Sequence, residues 1–310
     1  MRPLNHRGVA LMLVLWLLVL LGAVAAGVAE SSRAEVGVVA NLNARAAARS
    51  GAESGIAAAT SRIERLLAAA RTPQNAALLF REIDRHFSGM REVAVGDARF
   101  GVAVVDLNAR IDLNQADEAT LRNFVAQFTD ESRATRIVAA LEDWEDADDL
   151  TRPNGAEATD YARAGSPYAP RNGPLQRLDD FAHVLGVTDS LALTLAPYIT
   201  VEGDRRVNIN TAPEPVLASL PGIGPAGART LIARRDGGET FTSTAVVEDL
   251  LRGGAVAVRA ALSRTAIMPS RILIVSRGWR AGSPLTHEIQ AVYAIGGGRL
   301  ALQSWRERDL

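Results

Sequence analysis

Residues Val9–Ala29 form a run of 21 without a charge, opening Val9-Ala10-Leu11-Met12-Leu13-Val14-Leu15-Trp16. At about 1.5 Å per helical residue such a run spans about 30 Å, the thickness of a bilayer's hydrocarbon core. Its flank is short and basic, with Arg2, His6 and Arg7 followed by Gly8. Positive charge on that side predicts that the first residues stay in the cytoplasm and the remainder is exported. A chain that begins this way is tethered to a membrane or starts with a discarded signal.

A secretory signal has a shorter apolar core, about 7–15 residues, and a small-x-small cleavage site. Ala23, Ala25, Ala26 and Gly27 could supply that site. The downstream sequence argues for a retained helix instead. Proline is absent between Leu4 and Thr72, and alanine, the best helix former, recurs throughout. One long helix is expected, embedded in its first half and wetted in its second.

That pattern resembles the start of type IV pilin-like proteins. The resemblance implies cleavage by a prepilin peptidase after Gly8, so that Val9 becomes the first mature residue. Most members carry a glutamate at the fifth mature position, which pairs with a neighbour's N-terminal amine. Here that position holds Leu13, as in the minor pseudopilin class thought to sit at a tip.

The chain has 310 residues, enough for about two domains by the rule of about 150 residues each. Cysteine is absent, which excludes disulfides and thiolate metal sites. An exported chain of this kind must rely on packing or on a hard cation held by oxygens. Every basic side chain counted in Lys+Arg 34 is arginine, and the net charge is −1.

Beyond the long helix, Ala76–Phe87 reads as a short amphipathic helix ended by Ser88-Gly89. Ala98–Asp106 is rich in β-branched residues and reads as a strand. From Ile111 the period is helical for about 150 residues. Three further strands are expected over 271–276, 285–295 and 300–305, with Gly278–Pro284 and Gly296-Gly297-Gly298 as turns. A single early strand leaves its edges and one apolar face open to water. It is therefore expected to join the three late strands in one antiparallel sheet packed on the exported half of the helix, with the helical block inserted between.

The insertion contains a repeat. Ile111-Asp112-Leu113-Asn114 returns as Val207-Asn208-Ile209-Asn210, an offset of 96, and Leu121 returns as Leu217. Each asparagine can cap the helix that follows. The second copy adds Leu220-Pro221-Gly222-Ile223-Gly224-Pro225, which resembles a helix-hairpin-helix with Pro221, Gly222 and Gly224 in its turn. Helix N-termini attract anions, and this stretch also resembles the membrane-anchored DNA receptors of bacterial competence. Segment 106–204, however, carries 13 Asp and 6 Glu against 8 Arg. Duplex binding depends on releasing counterions from phosphate, so an acidic neighbour within a Debye length or two repels the ligand. A packing and partner-contact role is the expectation, with nucleic acid as the alternative.

Between residues 142 and 160 lie eight carboxylates and one arginine, Arg152. Carboxylates on a helix end followed by a Pro/Gly loop can wrap a cation that takes six to eight oxygens, which means calcium. The spacing is not that of an EF-hand. The competing reading is a solvated acidic turn.

Five motifs then occur in order: Asp-Leu-Asn-Ala-Arg-Ile-Asp-Leu-Asn at 106–114, Asp-Trp-x-Asp-x-Asp at 143–148, Gly-Ala-Glu-x-x-x-Tyr at 155–161, Pro-Tyr-x-x-Arg-Asn at 167–172 and Val-Asn-Ile-Asn-Thr-Ala-Pro at 207–213. With the glutamate-free apolar helix, they resemble the minor pseudopilin K family of type II secretion systems, GspK. The resemblance implies an α+β fold: a pilin-like N-terminal helix on an antiparallel sheet, with a large inserted all-α domain containing SAM-like/helix-hairpin-helix repeats. Its segments would be 1–8 leader, 9–29 transmembrane, 30–105 periplasmic helix and first strand, 106–268 insertion (halves 106–204 and 205–268) and 269–310 late strands. It further implies calcium at Asp143, Asp146, Asp148, Glu157, Asp160 and Glu142, partners in the I and J minor pseudopilins, and a single-pass inner-membrane anchor with the bulk in the periplasm. No catalytic constellation stands out, since His6, His86, His183 and His287 are scattered. A non-enzymatic tip subunit of the secretion pseudopilus is the expected function.

Overall fold

The computed structural model of the chain describes residues 6–87, 90–250 and 255–310. The helix stop expected at Ser88-Gly89 and the first five leader residues lie outside them. Helix α1 (His6–Ala69) runs for 64 residues, about 96 Å at 1.5 Å per residue. The stretch Ala10–Val28 is long and apolar enough to cross a membrane, and none of it is buried by the rest of the chain. Among the described side chains of this helix packing starts at Ala44, and from there Ala48, Ala52, Ile56, Ala59, Ile63 and Leu67 are buried. Their spacing of three and four residues lines one helix face. Helix α2 (Pro73–Phe87) folds back with Ala77, Leu79, Ile83 and Phe87 buried. It begins three residues before the expected Ala76 because Pro73 suits a first helical turn, where its missing N–H costs nothing.

Strands β1 (Val93–Val95) and β2 (Ala98–Asp106) lead into the insertion. Its first half comprises β3 (Ile111–Asp112), α3 (Glu118–Val125), α4 (Glu131–Glu145), α5 (Ala158–Arg163), α6 (Asp189–Leu195) and β4 (Ile199–Thr200). The second comprises β5 (Val207–Asn208), α7 (Glu214–Ser219), α8 (Gly224–Asp236), α9 (Ala245–Leu250), α10 (Ala255–Ser263) and β6 (Thr265–Ala266). β3 pairs with β4, and β5 with β6, each in parallel. The insertion is therefore mainly helical rather than wholly so, since two residues per strand are too few to leave an alternating pattern in sequence.

The two halves repeat in chemistry as well as in sequence. Asn114 donates from Nδ2 to the carbonyls of Leu175 and Val201 and accepts the Leu175 N–H. Asn210 does the same with Phe241 and Ile267. Each asparagine thus pins a returning loop and the strand beside it. One continuous apolar core, from Ile111 to Ala261 and including Phe124, Trp144, Tyr161 and Leu231, unites the halves.

The chain returns as β7 (Arg271–Arg280), β8 (Thr286–Gly296) and β9 (Arg299–Asp309). The sheet order is β1-β2-β7-β8-β9, antiparallel throughout, with Asp106 opposite Ile272. The sheet has five strands where four were expected, because three-residue β1 is too short to register as a pattern. A second core joins α1 and α2 to this sheet through Ile56, Ile63, Phe100, Ile272, Ile274 and Ile289. The helix and sheet backbones nearly touch, for a Cβ on Gly278 would lie 2.1 Å from the Ala48 carbonyl oxygen.

A buried polar junction fixes the insertion to the sheet at the ends of β2 and β7. Asp106 accepts from the Asn108 N–H, Asn208 Nδ2 and the Thr211 hydroxyl at 2.8, 2.8 and 2.6 Å. Asn108 donates to Asp204 and to the Arg206 carbonyl, and accepts from the Ser270 and Arg271 N–H groups. The Ser270 hydroxyl donates to Asp204. At the far side, Glu202 holds Ser304 and Arg306 of β9.

Candidate metal centre

Helix α4 places the first carboxylates. Its N-cap Asp130 accepts the Arg133 N–H, and Ile137, Val138, Leu141 and Trp144 root it in the core. The helix stops where Asp146 turns extended, its N–H still bonded to the Glu142 carbonyl at 3.0 Å. Glu142, Asp143 and Asp146 therefore share the last turn, with positions i and i+4 on one side.

The following loop wraps back over them. Arg152 donates its backbone N–H to Asp143 at 3.2 and 3.3 Å. Asn154 adopts a positive φ of 68° and turns the chain inward. Gly155 then passes so close that a Cβ there would lie 2.1 Å from Asp143 Oδ2. Glu157 follows, buried at 3% exposure, and opens α5. Tyr161 forms the floor, its ring 6.0 Å from Trp144 and its hydroxyl accepting the Leu185 N–H.

The six sequence-predicted carboxylates separate into two groups. Glu142, Asp143, Asp146 and Glu157 gather around the end of α4. Asp160 instead caps α5 by accepting the Glu157 N–H at 3.1 Å, and it pairs with Arg163. Asp148 is exposed and accepts the Leu150 N–H. The side chain absent from the predicted set is Arg152. Its Nη2 lies 2.9 Å from Asp146 Oδ2 and its Nε 3.2 Å from Asp143 Oδ1. Among the described residues no three metal-type side chains converge on one point; this guanidinium lies against both Asp143 and Asp146.

The electrostatics nonetheless describe a site short of positive charge. Burial, and then the neighbouring carboxylates, push the carboxyls of Glu142 and Glu157 above their ordinary value; burial does the same for Asp143 despite two backbone donors. Both carboxylate oxygens of Glu157 and Oδ1 of Asp146 are buried without a hydrogen-bond partner among the described residues. Buried acceptors left unpaired are costly. An all-oxygen donor set of this kind suits a hard cation such as calcium.

The remaining predicted positions are ordinary in geometry. Leu13 is 65% exposed on the bare part of α1, and the helix runs unbroken through Gly8 and Val9. Helices α7 and α8 are joined by Leu220–Ile223, with Gly222 at φ 92° and Gly224 at 61°. Gly222 lies against the Ala257 carbonyl, 2.9 Å from where a Cβ would sit. Arg235 donates to the Ile209 and Ala212 carbonyls, so it is an internal tie rather than a free cation.

Two domain models described as type II secretion system (T2SS), protein K, match residues 99–204 and 207–266 in succession. The chain belongs to this family. The protein K of Klebsiella pneumoniae is 29% identical over 161 residues, covering 47% of this chain and 49% of its own length. That of Pectobacterium carotovorum subsp. carotovorum is 34% identical over 93 residues, 28% of each. The chain thus spans about half the length of the first of these curated relatives and less of the second. A chain in the crystal structure of the GspK-GspI-GspJ complex from enterotoxigenic Escherichia coli superposes with a TM-score of 0.63 at 15% identity, covering 83% of this chain and 95% of that one. That likeness is one of fold: the long helix, the antiparallel sheet and the added helical region recur.

Proposed function

We propose that this protein K family member is a non-enzymatic, inner-membrane-anchored minor pseudopilin that caps the type II secretion pseudopilus and binds the I and J minor pseudopilins. The reading is supported above all by the combination of a bare, exposed apolar helix with a bulky inserted domain on a pilin-like sheet. The span Ala10–Val28 leaves its whole surface for lipid or for partner helices. Prepilin peptidase would cleave between Gly8 and Val9, and the exported bulk would lie in the periplasm. Role and partners are tested together by co-purification from detergent-solubilised membranes. Co-elution with both the I and the J pseudopilins is expected; a chain that elutes without either contradicts the reading.

The acidic site would hold calcium through Asp143, Asp146 and Glu157, with Glu142 nearby. The cation's contribution there is charge: it gives the unpartnered Glu157 and Asp146 oxygens a counter-ion and ties the loop 147–157 to α4. Anything that binds only the folded state raises its stability by mass action. EDTA should therefore lower the melting temperature of the purified chain, and Asp143→Ala should abolish the difference; equal melts with and without EDTA would favour the solvated-turn reading.

Nucleic-acid uptake is the weaker reading. Arg235, in the last turn of the hairpin's second helix, is spent on backbone carbonyls, and the adjoining half of the insertion is strongly acidic.

A further inference from the structure

Arg152 is held to the acidic site by two separable attachments. Its backbone N–H bonds Asp143 and fixes the loop. Its guanidinium donates to Asp146 through Nε and Nη2 at 3.2 and 2.9 Å, forms an ion pair with Asp143 at 3.2 Å, and comes within 3.9 Å of Glu142. The side chain is 46% exposed while that of Asp143 is fully buried. The guanidinium can therefore swing into water without moving the loop, whereas the carboxylate stays.

One positive charge also does not balance what surrounds it. Glu142, Asp143, Asp146 and Glu157 bring four carboxylates, and Glu157, whose side chain faces the Asp160 N–H as half of a capping box, brings two buried oxygens without a hydrogen-bond partner among the described residues. An ordinary salt bridge closing a surface loop would leave no such surplus. A planar guanidinium reaches two carboxylates at once but cannot fill an oxygen cage, for which a small divalent ion is suited.

We propose that Arg152 is an internal counter-ion that competes with calcium for Asp143 and Asp146. The guanidinium leaves as the ion enters, so this one side chain sets the affinity of the site. The inference rests on the calcium reading above. Two cations of like sign within a few ångströms repel strongly where solvent is partly excluded. Removing the guanidinium therefore tightens metal binding, while without metal it leaves the carboxylates to repel one another.

The test is calorimetric titration of the detergent-solubilised full chain with calcium chloride, comparing wild type with Arg152→Gln. The variant is expected to bind calcium about tenfold more tightly, equivalent to about 1.4 kcal/mol, yet to melt lower than wild type in EDTA. Equal or weaker binding by the variant, with wild type binding normally, overturns the counter-ion role and leaves the calcium reading intact. Binding by neither protein overturns both. Should the variant fail to fold, wild type alone decides: the Nε–H resonance of Arg152 should shift on adding calcium chloride, and an unmoved resonance at saturating calcium overturns the exchange.

Discussion

Asp106 shows how much one buried carboxylate can organise and what it costs. It links the end of β2 to the second repeat through Asn208 and Thr211. Burial pushes its carboxyl from the ordinary 3.8 up to about 6 against the pull of those donors, and burial likewise lifts Asp112 to about 6. A carboxyl whose folded pKa exceeds its unfolded value favours folding when protonated. Its contribution is full below about 3.8 and is lost as pH rises through about 6. At 1.36 kcal/mol per unit each group is worth at most about 3 kcal/mol. In excess EDTA the melting temperature should climb as pH is lowered from about 7.5 to about 5, and Asp106→Asn should flatten that climb; identical slopes would refute the assignment. The same scale shows what sequence could and could not convey about the site. The family resemblance carried Asp143, Asp146 and Glu157 in one set, and the helix end and returning loop of the acidic run agree with their lying near one another. It did not separate them from Asp148 and Asp160, whose carboxylates satisfy local backbone N–H groups. Arg152 was visible only as a charge, since nothing in its sequence position says that its guanidinium turns inward.

Among the elements, α1 and β7 carry the tightest constraint. The helix lies flat on the sheet because Gly51, Gly55 and Gly278 remove side chains where the backbones meet. A Cβ on Gly278 would meet the Ala48 oxygen at 2.1 Å and the Ala52 nitrogen at 2.2 Å. Both are backbone atoms of one helix and cannot turn aside, so Gly278→Ala should cost about 3 kcal/mol or more. In a chain of this size that lowers the melting temperature by about 6–12 °C. Gly37→Ala is the control: it sits on the bare stretch of α1 with nothing within 4 Å and should be neutral or slightly stabilising. A Gly278→Ala protein melting with wild type would mean the helix stands off the sheet. The strands of the main sheet were legible wherever β-branched runs were long, as in β2, β8 and the first part of β7, which continues to Arg280 through the Gly278 expected in a turn. What escaped was short: β1 and the two parallel ladders of the insertion are fixed by tertiary pairing, such as the Val207 N–H to the Arg264 carbonyl, rather than by local preference.

For the whole molecule, the sheet is assembled from strands more than 160 residues apart, with Asp106 meeting Ile272. The need of a lone early strand for partners made its membership in one sheet with the late strands legible, but not which of them it meets, while the offset of 96 revealed the doubled insertion. The angle between the two bodies was not legible, because it depends on contacts such as Glu202 with Arg306 and Asn108 with Ser270. On the tip reading two features oppose further growth: Leu13 lacks the carboxylate that would meet a neighbour's amine, and the insertion adds a second core beside the sheet. These make different predictions for Leu13→Glu. The substitution restores the charge but leaves the insertion, and a carboxylate in the apolar span carries its own cost, about 2.5–3.5 kcal/mol at the centre of a span. If bulk is the stronger block, pseudopili assembled with Leu13→Glu keep the wild-type length distribution by electron microscopy. Longer fibres from that variant would place the stop signal in the membrane helix instead, and the insertion would then need a role other than capping.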